Sequence, residues 1–221
     1  EDIHAIGELI KKKNPNCLFH TDAIQAYGKM ILHPKKDFVD LLSVSGHKLH
    51  GPKGIGFLFI DEKVKINPIL FGGGQQGGLR SGTLNIPGIA GMGLAAKMVY
   101  QDFPKKIEKL YELKDYFIAE LEKLPEVKVN SEKGKASAPQ IVSASFYGIK
   151  AEVLLHALEE KGIYVSSGSA CSSNHPGISG TLKAIGLTDK ELDSTLRFSF
   201  SFLTEKYELT DTIDALKELL P

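Results

Sequence analysis

The stretch SVSGHKLHGPKGIGFLFI, Ser43–Ile60, contains the end of one apolar run, a polar turn and a second apolar run. The first run, FVDLLSVS, predicts a buried strand that ends at Ser45, and GIGFLFI predicts a strand suited to a sheet buried on both faces. His47 and Lys48 follow the first strand directly, ahead of a Gly-Pro turn. Because ligands of open α/β sheets bind beyond the carboxyl ends of strands, this turn predicts a binding site.

Strands and helices alternate in the first half of the chain. Upstream of Ser43, EDIHAIGELIKKK has the apolar spacing of a helix, and CLFHTD predicts a buried strand that ends at Asp22. Downstream, the glycine-rich FGGGQQGGLRSGT, Phe71–Thr83, breaks the alternation, and residues 86–124 predict a long helix bent near Pro104. This order of elements indicates an α/β fold.

The second half of the chain predicts a smaller α+β domain. VKV, QIVSASF, IYV and TLRFSFS predict strands, the helix before IYV is expected to end at Gly162, and a final helix is expected to follow a Thr204 cap. We therefore expect two domains, residues 1–100 and 101–221. The second contains SSGSACSSNHPGISG, residues 166–180, which we expect to be a mobile loop.

The composition excludes several classes of function. The chain has 221 residues, of which 42% are hydrophobic, and 27 Lys and Arg balance 27 Asp and Glu. With no net charge and no basic run, we expect no binding to nucleic acid or to a membrane surface. No apolar run approaches the roughly 20 residues that span a bilayer. Two cysteines at unlike sites do not form a disulfide framework, so we expect a cytoplasmic protein.

The side chains at the two strand ends suit the chemistry of pyridoxal 5′-phosphate (PLP). A partly desolvated Lys48 could form a Schiff base with a carbonyl, and Ser45 and His47 could donate hydrogen bonds to a phosphate. PLP also needs an anion beside its pyridine nitrogen, which Asp22 could supply, and Gln25 could bind the ring hydroxylate. Together these residues predict a PLP site.

Simpler interpretations of the same residues remain open. Taken singly, Asp22 is more often a helix cap and Lys48 a surface lysine, because single-residue matches are weak. A zinc site is the other alternative, with the ligands His20, Asp22, His47 and His50. Zinc is disfavoured because no pair has a helical His-x-x-x-His spacing and neither cysteine belongs to a Cys-x-x-Cys pair, so no metal is predicted.

The two cysteines lie in contrasting surroundings. Cys171 lies in the 166–180 segment, whose only aliphatic side chains are Ala170 and Ile178, so nothing local can bury it. An exposed thiol ionises to the nucleophilic thiolate more easily than a buried one. A cysteine without function in a flexible linker is the plainer interpretation. Cys17 heads an apolar run, and we expect it to be buried in the core.

Five segments, in this order, carry a resemblance to a known family: HTDAIQAYGK, SVSGHKLHGPKGIGFLFI, GGGQQGGLRSGTLNIPGI, SSGSACSS and LRFSFS. Together they resemble the cysteine desulfurases, PLP enzymes of the class V aminotransferase fold. The Ser-x-His-Lys step with an upstream Asp-x-x-Gln is specific to the fold class, and Ser-Ser-Gly-Ser-Ala-Cys to the desulfurase branch. The resemblance implies the C-terminal part of the large PLP-binding domain of an aspartate-aminotransferase-like fold, followed by a smaller α+β domain.

The resemblance implies a role for each residue at the two strand ends. Lys48 would hold PLP as a Schiff base and shuttle protons, while Asp22 would face the pyridine nitrogen. Gln25 would contact the ring oxygen, and Ser45 and His47 would bind the phosphate. These five positions match the family's motif residue by residue.

The resemblance also implies how substrate and sulfur are handled. Arg197, in LRFSFS, would bind the substrate carboxylate, and Thr83 would reach the phosphate held by the neighbouring subunit of a homodimer. Cys171 would attack the sulfur of PLP-bound L-cysteine, become a persulfide and release L-alanine. The 166–180 loop would then swing outward to give the sulfur to an acceptor or iron–sulfur scaffold protein.

The sequence departs from the family in three places. It has Gly77 where an arginine is common, and Ser201 and Phe202 where a Gly-Arg step is common. No position matches the first strands of the large domain, its glycine-rich phosphate loop or the histidine that stacks on PLP, so we expect an incomplete large domain with exposed sheet edges. Two other functions stay open: selenocysteine lyase, and a truncated, non-catalytic binding module. Activity of this chain alone is not expected.

Overall fold

The structure is a computed structural model that describes residues 2–167 and 179–220, and the chain divides into two units, residues 1–103 and 104–221. The α-helices of the described residues are α1 Ile3–Lys13, α2 Ile86–Tyr100, α3 Phe103–Leu121, α4 Ala151–Glu160, α5 Gly180–Ala184, α6 Asp189–Asp193 and α7 Lys206–Leu219. Their strands are β1 His20–Asp22, β2 Leu41–Ser45, β3 Gly56–Ile60, β4 Val127–Val129, β5 Ile141–Phe146 and β6 Thr195–Ser199. None of these helices is long and apolar enough to cross a membrane.

A three-stranded sheet forms the centre of the first unit. β1 runs parallel to β2, with Asp22 opposite Ser43, and β3 runs antiparallel to β2. Along β2, Leu42 and Val44 are buried on one face, while Ser43 and Ser45 lie on the other. Because parallel strands end at the same edge of a sheet, β1 and β2 bring Asp22 and Ser45 to one edge.

An ion pair ties the start of β2 to α1. The Asp40 carboxylate accepts hydrogen bonds from the Lys11 ammonium at 2.5 Å and from the backbone N–H of Phe19 at 2.6 Å. The same ammonium donates to the Cys17 carbonyl at 2.7 Å. Asp40 directly precedes β2 and Phe19 directly precedes β1, so one carboxylate aligns the first residues of both strands.

The second unit has its own antiparallel sheet and core. β5 lies between β4 and β6. Phe117 of α3 packs edge-on against Phe198 of β6, with ring centroids 5.0 Å apart. The buried apolar core of this unit consists of Leu110, Leu113, Phe117, Ile118, Leu121, Leu124, Val142, Ala144, Phe146, Ala151, Leu154, Leu158, Leu196, Phe198, Phe200, Leu209, Ile213, Ala215 and Leu216. Helices α3, α4 and α7 all contribute to this core.

A lysine is also buried in the second unit. Lys114 of α3 is fully buried, and its ammonium donates to the Gly134 carbonyl at 2.6 Å and to the Ser137 hydroxyl at 3.0 Å. The neighbouring Asp115 accepts from the Gly134 N–H at 2.8 Å. Burial lowers the pKa of Lys114 because the charged form loses its hydration. These bonds hold the segment before β5 against α3.

A buried carboxylate joins three parts of the second unit. Glu191 of α6 is 5% exposed, and it accepts hydrogen bonds from Lys128 of β4 at 2.6 Å and from Tyr147, just after β5, at 2.8 Å. It also accepts from the N–H and the hydroxyl of Thr188, at 2.7 and 2.8 Å. The bond from Lys128, together with those from Thr188 and Tyr147, lowers the pKa of Glu191 to about 2.

The long helix predicted over residues 86–124 is interrupted. The structure has two helices there, α2 and α3, separated by Gln101 and Asp102. Asp102 has a φ of 53°, a left-handed value that a right-handed helix does not accommodate. The prediction of one helix bent near Pro104 was therefore wrong, because the break precedes the proline. The two units divide at the first turn of α3, close to the predicted domain boundary after residue 100.

The sequence predicted that Thr204 caps the final helix, and this prediction was wrong. α7 begins at Lys206 and its cap is Glu205, whose N–H donates to the Glu208 carboxylate at 2.7 Å. Thr204 instead accepts from the Ser201 N–H at 2.9 Å. A reciprocal capping box depends on a carboxylate in the first turn of the helix, which Glu208 supplies.

Two predictions of burial in the first unit were also wrong. CLFHTD predicts a strand over residues 17–22, but β1 has only the last three of these residues, and Cys17 is exposed instead of buried in the core. β3 was expected to be buried on both faces, but Phe57 and Leu58 are 40% and 44% exposed. Within the described residues no further layer covers these side chains of the sheet.

Glu191→Gln is expected to lower the stability of the protein at neutral pH. It is also expected to make that stability depend less on pH between 4.5 and 2. The folded-state pKa of about 2 lies below the ordinary value of 4.5. The carboxylate therefore contributes stability above pH 4.5 that is lost as the pH falls toward 2. Urea unfolding midpoints measured across this range check the prediction.

The matched control is Glu122→Gln, which removes an exposed carboxylate paired with Lys133. Exposed ion pairs contribute little, so this variant is expected to unfold like the wild type at every pH. Equal pH slopes for Glu191→Gln and the wild type would contradict the low pKa assigned to Glu191.

Candidate active site

The carboxyl ends of β1 and β2 lie side by side and carry predicted site residues. Asp22 ends β1, and its Oδ1 accepts from the Ile24 N–H at 3.0 Å. The next residue, Ala23, donates its N–H to the Ser43 carbonyl at 2.9 Å, which continues the pairing of the two strands. The Asp22 side chain is exposed and Ser45 ends β2, so both are open to a ligand at this edge.

A 3₁₀ turn, Gly46–Leu49, places His47 and Lys48 directly after β2. The Ser45 hydroxyl is hydrogen-bonded to His47 Nδ1 at 2.7 Å, which orients the imidazole. Leu49 is 1% exposed and anchors the turn in the core, whereas Lys48 is half-buried. Among the described residues, no hydrogen bond or ion pair engages the Lys48 ammonium, so a ligand can take it as a partner.

Close backbone packing gives this turn its shape. The Gly46 N–H donates to the Ile55 carbonyl at 2.8 Å, and the Gly51 N–H donates to the Gly46 carbonyl at 2.9 Å. His50, which ends the turn, has a left-handed φ of 65°. A Cβ added at Gly51 would lie 2.9 Å from the Gly46 oxygen, closer than side chains approach a backbone atom. The turn therefore requires glycine at position 51.

A second histidine lies on the same polar face of the sheet. His20 Nε2 is hydrogen-bonded to the Ser43 hydroxyl at 2.8 Å, and Ser43 lies opposite Asp22. The sequence indicated His20 only as a candidate zinc ligand and did not predict its bond to Ser43. The alternation of side chains along β2 does place Ser43 on the same face as Ser45, which is the signal that could have found this pair. In residues 2–167 and 179–220, no three His, Cys, Asp or Glu side chains are grouped so as to hold a metal ion.

Gln25 and Thr83 are not brought together with the Lys48 turn by any hydrogen bond of the described chain. Both side chains are exposed. Thr83 ends the glycine-rich segment, in which the Gln75 side chain accepts from the Gly82 N–H at 3.1 Å. The roles expected for Gln25 and Thr83 are contacts with the cofactor and with a partner subunit, and they stay predictions.

Arg197 lies in the second unit, in the middle of β6. Its backbone exchanges two hydrogen bonds with Ser166, at 2.7 and 3.1 Å, and its Nη2 donates to the Ser166 hydroxyl at 3.2 Å. The Nε–H is buried and has no hydrogen-bond partner among the described residues. An unpaired buried N–H is costly, more so on a charged group. The guanidinium is therefore suited to bind an anion. No pattern in the sequence predicts its pairing with Ser166.

The segment that carries the predicted nucleophile begins at this pair. The prediction of a strand over IYV, residues 163–165, was wrong, because only Ser166 pairs with β6 and Tyr164 is 80% exposed. Cys171 lies outside the described residues, and its role stays a prediction. The described chain resumes at Ser179, whose hydroxyl caps α5.

Nearly the whole chain matches the model of one protein family. Residues 1–211 match the family model described as Aminotransferase class-V. The chain belongs to the class-V aminotransferase family. This membership confirms the fold class predicted from the sequence.

Individual relatives confirm the resemblance to cysteine desulfurases. Cysteine desulfurase IscS of Clostridium botulinum (strain Hall) is 41% identical over 223 residues, which cover 100% of this chain and 55% of that protein. Cysteine desulfurase IscS of Dictyoglomus turgidum is 39% identical over 220 residues, with coverage of 99% and 56%. A solved structure described as a NifS-like protein has a TM-score of 0.88 at 31% identity, with coverage of 98% and 56%. The chain spans about half the length of the curated relatives that it matches.

Gly51→Ala is expected to destabilise the Lys48 turn, because the added Cβ collides with the Gly46 carbonyl. Overpacking of this kind costs roughly 1–3 kcal/mol of unfolding free energy. Gly93→Ala in α2 is the matched control, since nothing lies within 4 Å of its added Cβ and alanine favours a helix. Urea unfolding of both variants checks the prediction, and equal midpoints would contradict it.

Proposed function

We propose that this chain carries the PLP-binding lysine and the sulfur-accepting cysteine of a cysteine desulfurase, which takes sulfur from L-cysteine and releases L-alanine. The observation that carries the proposal is the presentation of Lys48 on a 3₁₀ turn directly after β2, at the edge where β1 ends with Asp22. The similarity to proteins named cysteine desulfurase supports this choice of reaction.

The residues at this edge fit the chemical groups of PLP. When bound, PLP supplies an electron sink for charge that develops on the substrate. Lys48 would hold the cofactor covalently and carry protons, and the exposed Asp22 carboxylate would lie against the pyridine nitrogen. The hydrogen-bonded pair of Ser45 and His47 would bind the phosphate. Gln25 would contact the ring oxygen.

Arg197 would hold the carboxylate of the amino-acid substrate. Its Nε–H is buried without a partner in the described chain, while Ser166 holds Nη2 from one side. A guanidinium binds a carboxylate through two parallel hydrogen bonds, and Nε is one of the donors that can take part. Binding of the substrate would thus satisfy a buried donor that the described residues leave unpaired.

Cys171 would accept the sulfur atom. Its thiolate would form a sulfur–sulfur bond with the sulfur of L-cysteine while the carbon–sulfur bond of the substrate breaks. The electron pair of the broken bond stays on carbon, which takes up a proton and leaves as L-alanine. The products are a persulfide on Cys171 and one alanine, so atoms and electrons balance without a further oxidant.

The sulfur would pass to an acceptor or iron–sulfur scaffold protein in the cytoplasm. A homodimer is also part of this proposal, with Thr83 binding the phosphate held by the partner subunit. Support for a partner comes from α2, where Ile86, Leu94 and Met98 are each 59% exposed. Exposed apolar surface of this kind suits an interface with another chain or subunit.

Lys48→Ala is expected to abolish the covalent linkage of PLP to the full-length protein. Alanine has no amine to form the bond, while the neighbouring groups stay in place. Intact mass and peptide mapping after incubation with PLP and borohydride check this. Lys65→Ala, which replaces an exposed lysine of the same unit, is the control and keeps the adduct. An adduct on another lysine in the wild type would refute the role given to Lys48.

Cys171→Ala is expected to leave PLP binding intact and to abolish both persulfide and alanine formation. Cys17→Ala is the matched control, because Cys17 is the exposed cysteine of the described chain and the proposal gives it no part in the reaction. Alanine assays with L-cysteine and L-selenocysteine are the measurement. Normal turnover of L-cysteine by Cys171→Ala would contradict the proposal, and turnover of L-selenocysteine alone would favour a selenocysteine lyase.

A further inference from the structure

Lys29, which no motif singled out, contacts the backbone of the proposed cofactor lysine. Its ammonium donates a hydrogen bond to the Lys48 carbonyl at 3.3 Å. Lys29 is half-buried, and this burial lowers its pKa because the charged form loses hydration. The ammonium is thus directed inward at the turn. It loses hydration that the ammonium of an exposed lysine keeps.

One tyrosine of α2 fixes the backbone on both sides of Lys29. The Gly28 N–H donates to the Tyr100 hydroxyl at 3.0 Å, and that hydroxyl donates to the Met30 carbonyl at 3.3 Å. Tyr27 packs edge-on against the Tyr100 ring, with centroids 5.4 Å apart. Because the residues before and after Lys29 are both held, its side chain has a defined origin from which to contact the turn.

Gly28 allows this segment to pack against the turn. It has a left-handed φ of 79°, and a Cβ there would lie 3.1 Å from Val99 and 3.7 Å from Leu49. Leu49 follows Lys48 and is 1% exposed. The segment that bears Lys29 therefore lies against the buried residue of the turn, next to the carbonyl that Lys29 binds.

The Lys48 carbonyl needs a partner of this kind. The N–H groups of His50 and Gly51 both donate to the Gly46 carbonyl. The Lys48 carbonyl instead accepts a hydrogen bond from the Lys29 ammonium. Carbonyls in the last turn of a helix lack partners within the helix, and a cation there interacts favourably with them. A hydrogen bond from an ammonium is also stronger than one from a neutral donor.

We propose that Lys29 is a positioning residue of this site: by binding the Lys48 carbonyl, it holds the turn in the shape that presents the Lys48 amine and the His47 imidazole to PLP. This inference rests on the proposed function. In this proposal Lys29 acts through the backbone of Lys48 and is not itself a ligand of the substrate or the cofactor. Its replacement leaves Lys48 chemically intact but poorly placed.

The test compares Lys29→Met and Lys29→Arg with the wild type in the full-length protein. Methionine fills similar space but cannot donate, whereas arginine keeps the charge and the donors. We expect the Kd for PLP to rise about tenfold in Lys29→Met, the size of one lost charge-assisted hydrogen bond. Lys29→Arg recovers most of this loss. In Lys29→Met, kcat falls while KM for L-cysteine changes little, because Arg197 is unaltered.

A second readout needs no cofactor. In PLP-free protein, hydrogen exchange at the Gly51 N–H reports how often the turn opens, since this N–H is bonded to Gly46. We expect exchange about tenfold faster in Lys29→Met than in the wild type. Lys36→Met, which replaces an exposed lysine of the same unit, is the matched control and leaves both exchange and PLP affinity unchanged.

An unchanged PLP affinity in Lys29→Met would overturn the inference, even with a lower unfolding midpoint, because Lys29 would then stabilise the fold without positioning the turn. Unchanged exchange at Gly51 would overturn it as well. Failure of the wild type to bind PLP at Lys48, or to release alanine from L-cysteine, would refute the proposed function instead. The failure of the Lys29 inference and the failure of the proposed function are distinguishable. The first is seen only when the variant is compared with an active wild type, whereas the second is seen in the wild type itself.

Discussion

The hydrogen bond from the Ala23 N–H to the Ser43 carbonyl extends the parallel pairing of β1 and β2 to the edge where both strands end. A slip of one residue would move every side chain of a strand to the opposite face, so this register decides whether Asp22 and Ser45 share a face. The Asp40 carboxylate fixes the register at the other end by holding Phe19 and Lys11. The candidate site therefore depends on backbone pairing before it depends on any functional side chain.

The turn after β2 illustrates how a buried framework supports an accessible amine. Leu49 is buried, Gly46 and Gly51 allow backbone atoms to approach closely, and Lys48 lies between them. Each of these features restricts the backbone rather than the lysine side chain. The backbone of Lys48 is held while its amine has no described partner, which suits the cofactor-binding and proton-carrying roles proposed for it.

Local signals in the sequence account for most of what could be predicted. The apolar run before Ser45, the polar residues that follow it and the LRFSFS strand all act over a few residues, so β2, the Lys48 turn and Arg197 could be placed without a structure. The pairing of Arg197 with Ser166 joins positions 31 residues apart, and pattern alone does not contain it. Cys17 was mistaken for a core residue because an apolar neighbourhood in sequence does not show where the sheet begins.

The pairing of Ser166 with Arg197 also sets a limit of distance. Ser166 is held to β6 by its backbone and its hydroxyl, and Cys171 follows it by five residues. A fully extended chain spans at most about 3.3–3.6 Å per residue, so the Cα of Cys171 stays within about 18 Å of the Ser166 Cα whatever the conformation between them. The other anchor, Ser179, is farther along the chain and is less restrictive. For the sulfur transfer proposed above, an acceptor protein would have to bring its receiving atom within reach of this tether, so the length of the 166–171 segment would help to determine which acceptors can be served.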